Sequence, residues 1–239
     1  MKEVMKMERN EKINRLVNQE RYSMADLEEV VEILRGECGC PWDREQTHES
    51  IRNDLIEETY EVIEAIDTNQ TALLREELGD LLFQILFHAQ IEREKGIFAL
   101  EDIVSDICAK MIHRHPHVFG EVTVKNTGEV LTNWETIKTE EKQRNTLKDK
   151  LKAVPPMLPS LMRGQKIAKK SGIYQGVTKE GLIAELKAQI SALEAKSDKQ
   201  DISCELGHTL LILTAFAQNQ GISAEQSLFE EINRFIDIF

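Results

Sequence analysis

Residues 77–90, ELGDLLFQILFHAQ, form a mostly apolar segment that polar side chains interrupt at regular intervals. The spacings are three, four and four residues, and the polar residues are Glu77, Asp80, Gln84 and His88. In an α-helix of about 3.6 residues per turn, residues so spaced lie on one narrow stripe. Burying carboxylates among Leu, Ile and Phe is unfavourable unless a counter-charge compensates them. The segment therefore predicts a helix whose charged stripe faces something that neutralises it.

Apolar residues recur at helical spacing along almost the whole chain, which predicts an all-α fold. The expected helices are 24–36, 50–67, 71–95, 100–114, 133–150, 160–171, 179–195, 201–219 and 223–236. Gly39 and Pro41 predict a loop over 38–50, with Thr47 or Ser50 capping the helix that follows. Residues 115–130 form a second irregular stretch, in which GEVTV at 120–124 is the one segment that suggests a strand.

The chain contains an internal repeat with an offset of about 127 residues. The segment at 55–66 resembles 182–193, and the segment at 77–90 resembles 205–218. KAVPPMLPS at 152–160 carries three of the five prolines and is the candidate boundary between the two halves. We therefore predict an N-terminal helical extension at 1–37, a first unit at 38–151 and a second unit at 152–239.

Carboxylates of two neighbouring predicted helices are expected to meet. In 55–66, Glu58 lies within the apolar arc and Glu61 at its margin, whereas Glu57 points more towards solvent. Packed antiparallel against the helix that carries Glu77 and Asp80, this helix would bring four carboxylates together. Such a cluster needs a counter-charge, and oxygen ligands suit Mg²⁺ or Mn²⁺. Because Mg²⁺ usually completes its shell with waters and substrate phosphates, a phosphate-bearing substrate is expected.

The second half of the repeat keeps the apolar pattern but loses the polar stripe. Glu58 and Glu77 correspond to Glu185 and Glu205, and the other four correspondences are Glu61 with Ala188, Asp80 with His208, Gln84 with Ile212 and His88 with Phe216. The fold pattern therefore does not require the stripe, and we assign the stripe to chemistry in the first half. Gln84 and His88 are interpreted as groups that support the ligands or as satisfied polar residues of the core.

The pattern EExxE followed by ExxD, here Glu57–Glu61 and Glu77–Asp80, resembles the MazG family of nucleoside triphosphate pyrophosphohydrolases. The flanking segments resemble that family as well, over about residues 38–170: GCPWDREQTHES, EETYEVIEAI, EELGDLLFQILFHAQ, RHPHVFG, NWETIKTEEK and LPSLMRGQKIAKKSG. Residues 152–239 resemble a second, degenerate MazG-like unit.

The resemblance implies Mg²⁺-dependent hydrolysis of a nucleoside triphosphate to the monophosphate and pyrophosphate, with a role in cleaning the nucleotide pool. The positions that match the family's metal ligands are Glu58, Glu61, Glu77 and Asp80. With Glu57, which would orient or deprotonate the attacking water, they make up the predicted catalytic set. The predicted substrate-binding residues are Asp54, Lys110, Arg114 and Trp134. The family also implies a four-helix-bundle core completed by dimerisation, so a homodimer or higher oligomer is expected.

Composition and charge limit which binding partners and which cellular location are expected for this chain. The net charge of −12 disfavours nucleic-acid binding, because phosphate backbones need a basic surface. No apolar run approaches the roughly 18 residues of a membrane helix, so no membrane partner is expected. The charged first residues lack an apolar core like that of a signal peptide, and we expect a cytoplasmic location.

Two other classes of protein share parts of this pattern. Ferritin-like di-iron bundles also cluster carboxylates on helices, but they use Glu-x-x-His pairs, whereas the i+3 residues here are Glu61 and Asp80. A non-catalytic regulatory or scaffold protein would suit the altered second half. The intact stripe of the first half argues against that role for the whole chain.

Overall fold

The computed structural model describes residues 2–141 and 146–239, with side chains from residue 7 onward. These residues contain thirteen helices and no strand, which confirms the all-α prediction. The chain divides into two compact units, one ending at Thr123 and the other beginning at Val124. This division follows spatial contact, whereas the predicted boundaries after residues 37 and 151 follow the repeat and remain predictions. No helix in the described part of the chain is both long and apolar enough to cross a membrane.

The first unit contains seven helices: α1 (Lys2–Asn18), α2 (Met24–Arg35), α3 (Pro41–Glu45), α4 (Arg52–Asp67), α5 (Thr71–Glu94), α6 (Leu100–Arg114) and α7 (Pro116–Phe119). Its central element is the hairpin of α4 and α5, whose short connection makes the two helices antiparallel. Asn69 closes the turn at a positive φ of 55°, a conformation that asparagine tolerates better than most residues. The core packs α2 and the start of α4 against the second half of α5, through Val31, Ile51, Leu86, Phe87 and Ile91.

A buried arginine ties α2, α3 and α5 together. The side chain of Arg35 is only 5% exposed and donates to both carboxylate oxygens of Glu94 at 2.8 Å. Its remaining nitrogen, Nη1, donates to the backbone carbonyls of Asp43 and Gln46 at 2.6 and 3.1 Å. The guanidinium also lies 5.0 Å from the ring centroid of Phe87. All three guanidinium nitrogens of Arg35 thus donate hydrogen bonds, as a buried positive charge requires.

The segment predicted as a loop over 38–50 contains the short helix α3, so that part of the prediction was wrong. Pro41 occupies the first turn, where its locked φ favours a helix and its missing N–H is not needed. The predicted capping of α4 was also wrong, because its N-cap is Ile51, which has no side-chain acceptor. Thr47 and Ser50 instead bind each other's backbone N–H, and the two hydroxyls are used up within their own turn.

The segment that suggested a strand, 120–124, forms no ladder. The short helix α7 precedes it, and the N–H of Val122 turns back to the carbonyl of Pro116 at 3.3 Å. The predicted helix 133–150 begins earlier, at Thr127, where Asn126 accepts the N–H of Glu129 at 3.0 Å. Residues 142–145 of that prediction lie outside the described residues.

The second unit contains α8 (Thr127–Glu141), α9 (Leu147–Lys152), α10 (Ser160–Ser171), α11 (Lys179–Glu194), α12 (Lys199–Asn219) and α13 (Ala224–Ile236). Helices α11 and α12 form a second hairpin, and α10 packs against α12. The crossing of α10 and α12 is close because a Cβ on Gly164 would lie 2.7 Å from Oγ1 of Thr214. The α11–α12 hairpin thus repeats the α4–α5 arrangement, as the sequence repeat predicts.

Replacing Arg35 with Met tests how much the buried guanidinium stabilises the first unit. We expect Arg35→Met to lower the free energy of unfolding by about 2–4 kcal/mol, because two backbone carbonyls and Glu94 lose their donors. Urea denaturation measures the change. The matched control is Arg93→Met, which removes an exposed ion pair between the same two helices and should change stability by less than about 1 kcal/mol. Equal effects of the two variants would contradict the assigned role.

Candidate metal and active site

The polar stripe of α5 runs from the turn end of the α4–α5 hairpin towards the apolar core of the first unit. Glu77 is buried with 8% exposure and Gln84 with 9%, while His88 is half-buried and Asp80 is exposed. On α4, Glu58 and Glu61 are half-buried, and Glu57 is exposed. The sequence therefore located the inward-facing carboxylates of both helices, because each lies within or beside the apolar arc of its helix.

Three carboxylates from the two helices converge on one point. One oxygen each of Glu58, Glu77 and Asp80 lie within 4.8 Å of one another. Glu61 lies near them, because its charge helps to raise the pKa values of both Glu58 and Glu77. We call these four residues the acidic cluster. The described residues place no histidine within it, so the arrangement lacks the mixed ligands of a ferritin-like di-iron site.

Among the described residues, burial and the repulsion between carboxylates dominate the electrostatics of the acidic cluster. Burial and then the charges of Asp80, Glu61 and Glu77 raise the pKa of Glu58 above its ordinary value. Burial and then Glu61 and Asp80 raise the pKa of Glu77 in the same way. Each carboxylate therefore makes its neighbours harder to ionise. An all-oxygen donor set that is partly desolvated and negatively charged suits a hard divalent cation.

The remaining predicted residues lie outside the acidic cluster. Asp54 is half-buried on α4, one turn before Glu58, and Lys110 and Arg114 share a face of α6 at i, i+4. Lys110 is exposed and Arg114 is buried. Trp134 belongs to the second unit, where the ammonium of Lys138 lies 4.5 Å from its ring centroid. Substrate contacts by these four residues remain predictions.

Sequence reasoning missed a partner of the stripe, His48, in the turn before α4. Nδ1 of His48 lies 2.7 Å from Nδ1 of His88, and Nε2 of His48 lies 2.7 Å from a carboxylate oxygen of Glu92. A half-buried histidine on an apolar helix needs a polar partner, which was the available signal. Its identity could not be read from the sequence, because His48 and His88 are 40 residues apart.

The second unit compensates its corresponding carboxylates internally. Glu205, the counterpart of Glu77, accepts a hydrogen bond from Gln189 and lies 3.8 Å from the ammonium of Lys196. Glu185, the counterpart of Glu58, lies near Tyr174, whose pKa is raised by burial and then by the charge of this carboxylate. Within the second unit, an amide and an ammonium group therefore lie beside the counterpart of Glu77.

Comparison with known proteins points in the same direction. Residues 46–119, which include the whole acidic cluster, match the family model of the MazG nucleotide pyrophosphohydrolase domain. The nucleoside triphosphate pyrophosphohydrolase/pyrophosphatase MazG of Thermotoga maritima is 34% identical over 216 residues, which cover 90% of this chain and 83% of that protein. The nucleoside triphosphate pyrophosphohydrolase of Escherichia coli K12 is 39% identical over 206 residues, or 83% and 78% of the two chains. The uncharacterized protein YabN of Bacillus subtilis is 48% identical over 141 residues, 59% of this chain and 28% of YabN.

The raised pKa of Glu77 predicts how the acidic cluster affects stability when no divalent cation is present. The folded chain holds a proton on Glu77 at pH values where the unfolded chain has lost it, so stability falls as pH rises above about 4.5 towards the raised pKa. We therefore expect Glu77→Gln to raise the urea midpoint at pH 7 in a chelating buffer, and to raise it less at pH 4.

The control for this prediction is Glu205→Gln, the same change at the repeat position. It weakens the contact with Lys196 and relieves no comparable repulsion, so it should not raise the midpoint. A midpoint for Glu77→Gln that is lowered equally at both pH values would show that Glu77 is a stabilising residue rather than a repelled one.

Proposed function

This chain belongs to the MazG family and is a nucleoside triphosphate pyrophosphohydrolase, and we propose that its acidic cluster holds the Mg²⁺, or Mn²⁺, required for the reaction. The observation that carries the proposal is the convergence of three carboxylate oxygens within 4.8 Å, from helices on which the pKa values of Glu58 and Glu77 are raised. A cation there would remove the repulsion that the protein itself leaves uncompensated.

We assign the ligands to Glu58, Glu61, Glu77 and Asp80. A cation held there would supply Lewis acidity at the phosphates and would lower the pKa of a bound water. Glu77, which is buried, and Glu58, which is half-buried, would hold it together with Asp80, which is exposed. Glu57 is exposed next to Glu58, and we assign to it the orientation of the attacking water and the acceptance of its proton.

The substrate carries more negative charge than the cation neutralises, so cationic side chains are needed as well. We assign this role to Lys110 and Arg114, which share a face of α6. We assign to Asp54 a polar contact with the substrate. The product pair, a nucleoside monophosphate and pyrophosphate, fits a role in clearing nucleotide pools in the cytoplasm.

Product analysis with a panel of NTPs and dNTPs tests this function. We expect wild type to form the monophosphate and pyrophosphate only when Mg²⁺ or Mn²⁺ is present. Glu77→Gln should lose activity by about 100-fold or more, because even the loss of a group that merely orients a metal ligand costs 10- to 100-fold. Glu205→Gln is the isosteric control in the second unit and should stay within about twofold of wild type.

The possible products separate this reaction from others. Formation of the diphosphate and inorganic phosphate would overturn cleavage between the α- and β-phosphates. Equal losses for Glu77→Gln and Glu205→Gln would overturn the assignment of the site to the first unit. Turnover that persists undiminished in a chelating buffer would overturn the role of the cation.

We also propose that the chain assembles as a homodimer through the outer face of α4. Ile56, Tyr60 and Ile63 are 47%, 53% and 40% exposed, and their spacing places them on one side of the helix. A contiguous apolar face of this kind on a helix surface is typical of an interface between chains. The hairpin of a second copy, with the same face, would complete a four-helix bundle.

Light scattering coupled to size-exclusion chromatography measures the assembly. We expect a mass of twice 27.4 kDa for wild type at micromolar concentration. Ile63→Glu should shift the chain towards the monomer, because it places a charge in the centre of the apolar face. Val17→Glu, at an exposed apolar position on α1, should leave the mass unchanged. A wild-type monomer would refute the proposal.

A further inference from the structure

Two histidines and two charged residues form a chain of contacts at the end of the hairpin opposite its turn. The rings of His48 and His88 are nearly parallel, with centroids 5.0 Å apart and an interplanar angle of 13°. Their Nδ1 atoms are 2.7 Å apart, and Nε2 of His48 lies 2.7 Å from Glu92. The ammonium of Lys95 donates to the same oxygen of Glu92 at 2.6 Å.

Hydrogen bonds link the turn before α4 to the body of α5. Hydrogen bonds from Lys95 and His48 lower the pKa of Glu92, and this carboxylate accepts Nε2–H of His48. Burial and then His48 lower the pKa of His88. The Nδ1 atoms of the two histidines lie 2.7 Å apart, so one ring donates its Nδ1–H and the other accepts it. The two rings therefore share one hydrogen bond between the turn before α4 and the body of α5.

One ring nitrogen of His88 makes the residue unfavourable for the stability of the fold. Its Nε2 is buried with no hydrogen-bond partner in the described part of the chain, and an unpaired buried polar atom is destabilising. An apolar side chain would avoid that penalty, and Phe216 stands at the corresponding position of the second unit. The contact with His48 is therefore the feature that distinguishes His88 from an apolar residue there.

The acidic cluster lies between two connections that hold α4 and α5 together. At one end, the turn at 68–70 joins the helices covalently. At the other end, His48 joins His88, which follows Asp80 by eight residues, or about 12 Å along the helix. Repulsion among the carboxylates of the two helices acts to separate them at a point between these connections.

We infer that the hydrogen bond between His48 and His88 is a clamp that holds α4 against α5 and thereby sets the spacing of Glu58 and Asp80 for the cation. His48 and His88 are positioning residues that act through the helices and do not touch the cation. The inference rests on the metal site proposed above and adds the two residues that support its geometry.

The second unit agrees with this interpretation. Its Glu205 lies beside Lys196 and accepts a hydrogen bond from Gln189, and among the described residues its hairpin holds no group of three converging carboxylates. Its residue at the place of His88 is Phe216, which forms no hydrogen bond through its side chain. Within this chain, the histidine clamp and the uncompensated carboxylates occur in the same hairpin.

The test is the affinity of the full chain for Mn²⁺, measured by calorimetry on protein shown by circular dichroism to be folded. His88→Phe keeps an aromatic ring but removes the hydrogen bond, and we expect about fivefold weaker Mn²⁺ binding. His88→Asn restores an amide group near the place of Nδ1 and should recover affinity to within about twofold of wild type. His208→Phe, at an exposed histidine of the second unit, is the control and should not change the affinity.

His48→Ala removes the same contact from its other side. The side chain of His48 is 34% exposed, so its loss costs little core packing. We expect His48→Ala to weaken Mn²⁺ binding to the same extent as His88→Phe. Failure of wild type to bind Mn²⁺ would refute the metal site itself. Tight Mn²⁺ binding by wild type, with unchanged affinity in folded His48→Ala or His88→Phe, would refute the clamp alone. Loss of affinity in His88→Phe that His88→Asn does not recover would reduce the role of His88 to packing.

Discussion

Repulsion among carboxylates on α4 and α5 is the constraint around which the first unit is built. The packing of Ile51, Leu86 and Phe87, the turn at 68–70 and the contact of His48 with His88 all hold the two helices together. A hairpin held only by its turn would relax such repulsion by opening, because its free ends can move apart. The apolar core at the far end therefore also keeps charged groups at distances they would otherwise avoid.

The pKa values of three acidic residues of α5, Glu77, Glu92 and Glu94, shift in two different directions. Burial acts to raise the pKa of Glu94, yet hydrogen bonds from Arg35 and Gln90 outweigh it and the pKa falls. The pKa of Glu92 also falls, through Lys95 and His48. The pKa of Glu77 rises, because burial and the charges of nearby acidic residues disfavour its ionised form. A carboxylate that the protein has paired stabilises the fold, whereas one that the protein has left among like charges is available to bind a cation.

The sequence predicts which carboxylates of α5 are buried, but it does not predict which of them are paired with a distant residue. The positions of α4, α5, α11 and α12 follow from apolar residues at helical spacing, and the burial of Glu77 follows from the Leu and Phe residues around it. The pairing of Glu94 does not follow, because Arg35 is 59 residues away and nothing in the local pattern of α2 singles it out. The helix α3 was missed for a similar reason: its five residues are too few for periodicity. Local patterns thus locate helices and inward faces, while long-range partners decide the role of each charge.

The two hairpins of this chain separate the requirements of folding from those of metal binding. In the α11–α12 hairpin, the ammonium of Lys196 lies 3.8 Å from Glu205, whereas burial and neighbouring acidic groups raise the pKa of its counterpart Glu77. The hairpin forms in both units, so a bound cation is not a requirement of this helix pairing. Where an internal ammonium already compensates the carboxylate, a divalent cation would gain less by binding, since its attraction to that carboxylate is partly offset by repulsion from the ammonium. Lys196 therefore gives an electrostatic reason why the proposed metal site belongs to the first hairpin and has no counterpart in the second.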